Sequence, residues 1–198
     1  MRLGWSHGDQ EYFTREEMIA AFDVRDINKG ASALNLEKLL WLNQQHMIKA
    51  QPKDVVPHLR WHLARLGIYS QDDALLEGIV LSQRERAKTL KEMAENSRFF
   101  FGDEVTLDPK AAEKHLTADA KALLGELRTR FAGIGEWNAP AVHATVEALA
   151  KEKALGLGKV AQPLRVAVSG GTVSPPIDAT LALLGQARTL SRLDRALA

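Results

Sequence analysis

Three short stretches carry residue types that can do chemistry. Ser169-Gly170-Gly171-Thr172 follows an apolar run, and glycines in such a place can aim backbone N–H groups at an anion, as a phosphate cradle does. No lysine follows in the mononucleotide pattern, and the three spaced glycines of a dinucleotide fingerprint are missing. Gly170 equally fits a helix C-cap. His58 and His62 lie four apart, a spacing that can hold a metal on one helix face, but no glutamate follows His58 and no third ligand is near, so they read as a polar face. Ser6-His7-Gly8-Asp9 holds the types of a nucleophilic triad; as chain neighbours they cannot easily converge, and Gly8-Asp9 reads as a turn. The paired acids Glu16-Glu17 and Asp72-Asp73 sit at helix starts, where the macrodipole accounts for them. No catalytic residue and no metal ligand set emerges.

Basic residues are more suggestive. SQRERAKTLKEMAENSR reads as part of one long helix, with Arg84, Arg86, Lys88, Lys91 and Arg98 set against Glu85, Glu92 and Glu95. Arg84, Lys88 and Lys91 can share a helical face, which would grip phosphates or else be an ordinary solvated face with salt bridges. Near the C-terminus Lys159, Arg165, Arg188, Arg192 and Arg195 face only Asp178 and Asp194, a basic pole beside the Ser-Pro-Pro loop at 174–176. Total charge is silent about partners, because 26 Lys and Arg nearly cancel 25 Asp and Glu.

The elements that must position these groups read as helices throughout. With 198 residues, 45% of them hydrophobic, the chain can bury a substantial core. It has no cysteine, no apolar signal core and no run long enough to span a bilayer, which makes a cytoplasmic location the expectation. Thr14 and Glu17 have capping-box spacing, and Asn35 can cap a helix whose stripe of Leu39, Leu40, Leu42 and Met47 is covered by Trp41. Gln51-Pro52 ends that helix, Pro57 opens the next and Gly67 stops it. Ser70 and Asp73 cap the long helix that runs to about Ala94, toward Ser97. A hinge is expected near 102–110, in DEVTLDP, followed by helical composition over Ala111–Arg130 and a helix start at Asn138 with Pro140. KVAQPLRVAV is strand or helix by periodicity, and its early proline and following glycine favour helix. Ile177–Leu184 ends at Gly185, and a last amphipathic segment follows. The expected fold is all-α, two packed helical bundles.

Taken in order, RLGWSHGDQE, INKGASALNLEKLLWLN, RERAKTLKEM and GKVAQPLRVAVSGGTVSPPIDATLALLG resemble the C-terminal half of the bacterial glutamyl-tRNA synthetases across nearly the whole chain. The outer two strings are the most specific, and 107–155 is carried by its position between matched segments. The resemblance implies that 1–50 is the end of a helical stem-contact domain, 51–106 a first anticodon-binding domain and 107–198 a second. Neither a His-Ile-Gly-His-type element nor a Lys-Met-Ser-Lys-Ser-type loop is present, so the match starts downstream of the catalytic half, Met1 is expected to begin a truncated chain, and the chain is expected to be inactive alone.

By the same resemblance Ser174, Pro175, Pro176 and Ile177 approach the anticodon bases, and an arginine of Arg84-Glu85-Arg86 reads one of them, with either arginine fitting. Lys88, Lys91, Lys159, Arg165, Arg188 and Arg192 are the expected RNA backbone contacts. The implied partner is the tRNA for glutamate, with no DNA or membrane, and the chain is expected to be a monomer. ATP and Mg belong to the full-length enzyme; no cofactor is expected in this fragment. A stand-alone helical adaptor binding RNA or protein, derived from such a domain, is the alternative.

Overall fold

The computed structural model describes residues 4–31 and 33–198. Met1, the expected start of the truncated chain, Arg2 and Leu3, which begin the first matched string, and Ser32 lie outside the described residues. Among those described, the elements are helical, apart from one isolated bridge between His7 and Gln10 that closes the Gly8-Asp9 turn.

The N-terminal part holds α1 (Arg15–Ala21), a 3-10 turn (Val24–Asp26) and α2 (Leu36–Lys49). Thr14 and Glu17 form the reciprocal capping box, and the Asn35 side chain accepts from Lys38 N. The stripe expected to be buried along α2 is open: Leu39, Leu40 and Trp41 are exposed, and only Met47, near the helix end, is buried. Periodicity identifies a helix face but not what covers it, and here only the C-terminal end of α2 meets the next core.

That core is built by α3 (Pro52–Ala64), α4 (Asp73–Gln83) and α5 (Leu90–Asn96), with a 3-10 turn at Arg98–Phe100. Leu59, Leu63, Leu76, Ile79, Met93 and Phe100 are its centre, with Met47 at the margin. Two sequence expectations fail here. The helix starts at Pro52, not Pro57, which sits inside it, costing the bond its N–H would have made to Lys53. The long helix from Ser70 and Asp73 toward Ser97 is instead two helices, capped by Asp72 and Thr89, because Arg84–Thr89 turns away after Gln83. Gly67 stops α3 at φ +76°, with Ile68 N donating to Leu63 O and Gly67 N to Ala64 O, a Schellman end.

A second core belongs to α7 (Ala118–Ala132), α8 (Ala139–Glu152), α9 (Leu157–Ser169), α10 (Ile177–Leu184) and α11 (Gln186–Leu197), preceded by α6 (Pro109–His115). The helical composition over 111–130 resolves into α6 and α7, separated where Thr117 caps the second. The proline and glycine that favoured helix over strand for KVAQPLRVAV do mark a helix, α9, which ends on Gly170 at φ +84°.

The two cores are fastened together. Gly78 of α4 lies so close to Leu183 of α10 that a methyl group at Gly78 would displace the leucine side chain. The segment expected as a hinge is held down: Asp108 N donates to Gly170 O at 2.8 Å, and Asp103 O accepts from Arg195 at 3.1 Å.

Candidate nucleic-acid interface

The turn after α4 is shaped from three sides. Arg86 N and Ala87 N both donate to Gln83 O, and Ala87 is fully buried, so Arg86 is turned outward. Gln83 itself is buried, its Nε2 donating to Ser97 Oγ at 2.5 Å and tying the end of α4 to the end of α5. From α2, Asn43 donates to Lys88 O at 2.7 Å and Gln44 to Glu85 O at 2.9 Å. The backbone carbonyls of a non-helical turn are thereby met by side chains from another element. Arg84, Lys88 and Lys91 consequently do not share a helical face: Arg84 lies in the turn, Lys88 just before the cap and Lys91 within α5. That correction follows from the break after Gln83.

The opposing wall is the loop between α9 and α10. Gly170 allows it to leave the helix, because its positive φ is unfavourable to other residues and any Cβ would collide with the Thr106 carbonyl. Gln162 Nε2 donates to Thr172 O at 3.1 Å, and Arg165 donates to Gln162 Oε1 at 2.7 Å and to Ser174 Oγ at 2.9 Å. Arg86 reaches across and donates to Ser174 O at 3.2 Å. Two guanidinium groups therefore converge on Ser174, and neither forms a salt bridge among the described residues. Burial, with help from the Arg86 charge, pushes the Arg165 guanidinium below its ordinary pKa.

Between the walls lies an open cleft of about 450 Å³. Arg86 and Arg98 bring donors, Glu95 and Glu104 acceptors, Asn96 both, and Phe99, Val173 and Pro175 apolar surface. A phosphate site needs donors alone; this mixture suits the edge of an unstacked base, which has donors and acceptors, and its apolar faces.

The expected site residues divide. Arg86 lines the cleft and Arg84 does not. Ser174, Pro175 and Ile177 are buried, while Pro176 is exposed. The Ser174 hydroxyl, expected at a base edge, is turned inward: it accepts from Arg165, donates to Pro175 O at 2.9 Å and lies 3.4 Å from Thr180 Oγ1. It holds the loop's shape. Lys88, Lys91 and Lys159 are exposed, as a phosphate contact requires. Arg165 is half-buried and committed to the loop, and Arg188 is engaged at the junction, donating to Phe100 O at 2.9 Å and lying 3.5 Å from Asp103 Oδ1.

Arg192 overturns its expectation outright. It is 1% exposed and donates to Val168 O and Gly102 O, to Phe99 O at 2.6 Å and to Asp103 O at 3.4 Å. Burial, assisted by Arg188 and Arg195 and opposed by Asp103, pushes its pKa down to about 10, which leaves it cationic at neutral pH. A phosphate has no access to it; it clamps the two bundles together. Missed altogether were Asn43, Gln44, Gln83 and Gln162, amides with no local motif whose partners lie elsewhere in the chain or across a turn, and Val173 at the loop tip, 81% exposed. His58 and His62 gain no third ligand: no group of three or more metal-binding side chains is found among the described residues.

Residues 48–197 match the model of a family described as an anticodon binding domain. The chain is 52% identical over 197 residues to glutamate–tRNA ligase 1 of Alkalilimnicola ehrlichii, which takes in 100% of this chain and 42% of the relative. Glutamate–tRNA ligase 1 of Nitrosococcus oceani is 51% identical over 198 residues, with the same shares. A crystal structure of a glutamate tRNA ligase from Elizabethkingia meningosepticum, in complex with its amino acid, is similar with a TM-score of 0.88 and 28% identity, over 99% of this chain and 39% of that one. Glutamate-tRNA synthetase from Elizabethkingia anophelis gives 0.83 and 29%, over 99% and 38%. The chain thus spans about two fifths of the length of these relatives.

Proposed function

The chain belongs to the anticodon-binding-domain family, and from that premise we propose that it is the anticodon-recognising, tRNA-binding part of a glutamate–tRNA ligase. The observation that carries the reading is the convergence of Arg86 and Arg165 on the Ser174 loop beside a cleft of mixed donors, acceptors and apolar surface. Anticodon bases are unstacked, so their edges can be read by guanidinium and amide groups while apolar side chains cover their faces. Pro175 and Pro176 stiffen the loop, and the Ser174–Thr180–Pro175 bonds fix it further, which lowers the ordering cost of binding.

Within this reading Arg86 is the base reader, and exposed Lys88, Lys91 and Lys159 hold the phosphate backbone. The partner is the tRNA for glutamate. Among the described residues no helix is long and apolar enough to cross a membrane; a cytoplasmic, monomeric protein fits the reading. Attachment of glutamate, with ATP and Mg, falls to parts of the ligase bearing the two signatures that these 198 residues lack. The test is titration of matched tRNA and of the same tRNA with a swapped anticodon, at two salt concentrations. Tighter binding of the matched tRNA, with affinity falling as salt rises, is expected. Equal affinity for both would overturn anticodon reading and favour a general adaptor.

A further inference from the structure

The molecule carries a second aromatic and cationic surface outside the base-reading cleft. Trp61 of α3 is 56% exposed. Arg65 lies over one face of its ring, the guanidinium carbon 4.9 Å from the centroid, and His62 sits edge-on at 4.8 Å. Together with Leu66, and with Lys91 and Glu95 of α5, these residues line a depression of about 370 Å³. Burial first, then the neighbouring Arg65, His58 and Lys91, hold the His62 pKa below its usual value.

The depression is a neighbour of the cleft, with one lining residue in common. Glu95 of α5 lines both, so the arginine-bearing cleft and the Trp61 shelf meet at that residue. We infer that Trp61, Arg65 and Lys91 form a stacking shelf for an unpaired nucleotide of the same RNA, next to those read in the cleft; the inference rests on the proposed anticodon function. The chemistry favours this occupant. A half-exposed indole can offer the face away from Arg65 to any base, and base–aromatic stacking is sequence-tolerant. Arg65 and Lys91 supply the positive charge that the flanking phosphates require, while the Glu95 carboxylate at the cleft side repels phosphate and accepts from a base amino group. An apolar protein partner would meet several cations around one indole, a poorer match.

The test uses the 198-residue chain and an RNA hairpin bearing the glutamate anticodon in its loop. Trp61→Ala should weaken hairpin binding about 5- to 160-fold, and Trp61→Phe, which keeps a ring, by less. Lys91→Ala should weaken it and reduce its salt dependence. Hairpin addition should quench tryptophan emission in the parent chain, and Trp61→Phe should remove that quenching, though Trp5, Trp41 and Trp137 remain. Fully duplex RNA should bind with no dependence on Trp61. If the parent and Arg86→Ala differ on the hairpin but Trp61→Ala binds as the parent does, with quenching unchanged, the shelf is refuted and the anticodon reading survives. If the parent chain does not bind the hairpin, both fall.

Discussion

Arg86 donates a hydrogen bond to the backbone carbonyl of Ser174 at 3.2 Å, joining positions 88 apart in the chain. That bond spans the two helical cores and sets a guanidinium at the edge of the cleft beside the loop. Because it is made to a backbone atom, it fixes the arginine without consuming the loop's side chains.

Arg86→Ala should therefore lose more affinity for the matched anticodon than for a swapped one, by about 1–3 kcal/mol, the range of a good side-chain-to-base contact. Arg84→Ala should lose less, since Arg84 does not line the cleft. Titration of both tRNAs against each variant reads the difference. Equal losses on both tRNAs would make Arg86 a backbone grip.

Arg192→Ala should act on stability. It deprives the carbonyls of Phe99, Gly102 and Val168 of their common donor, and a buried acceptor left unmet costs about 1–3 kcal/mol. Urea denaturation should show a lower midpoint, and the salt slope of tRNA binding at a temperature where the variant is folded should be unchanged. A reduced slope with normal stability would restore Arg192 as a phosphate contact.

Gly170 and its neighbour make a paired test. At Gly170 a side chain meets both an unfavourable φ of +84° and the Thr106 carbonyl, and the bond from Asp108 N to Gly170 O is put under strain. The left-handed conformation alone costs about 1–2 kcal/mol. At Gly171 a Cβ has nothing within 4 Å. Gly170→Ala should lower the denaturation midpoint clearly and Gly171→Ala hardly at all. Comparable losses would contradict the close approach.

Glutamate-dependent ATP–pyrophosphate exchange by the purified chain should not exceed a buffer blank, because the sequence holds neither the His-Ile-Gly-His-type element nor the Lys-Met-Ser-Lys-Ser-type loop that the proposed reading assigns to triphosphate binding. Exchange above that blank would mean that catalytic groups lie among these residues in a pattern no signature describes.

Sequence alone determined what local chemistry controls. The capping box at Thr14 and Glu17, the caps at Asn35 and Asn138, and the glycine stops at Gly67 and Gly170 are interactions among residues a few positions apart, so their types and spacing suffice. Local pattern misled where the tertiary structure competed with it. Helical composition ran unbroken through Gln83–Leu90, yet Asn43 and Gln44 of α2 meet the carbonyls of a turn there and buried Ala87 anchors it, so the chain turns. Only the tertiary structure decided which charges face solvent. Arg86 and Arg192 are the same residue type in equally basic stretches, and packing alone sends one to the cleft and the other between the cores. A guanidinium's role depends on whether water or backbone carbonyls meet its five donors, and those carbonyls come from positions some 24 to 93 away.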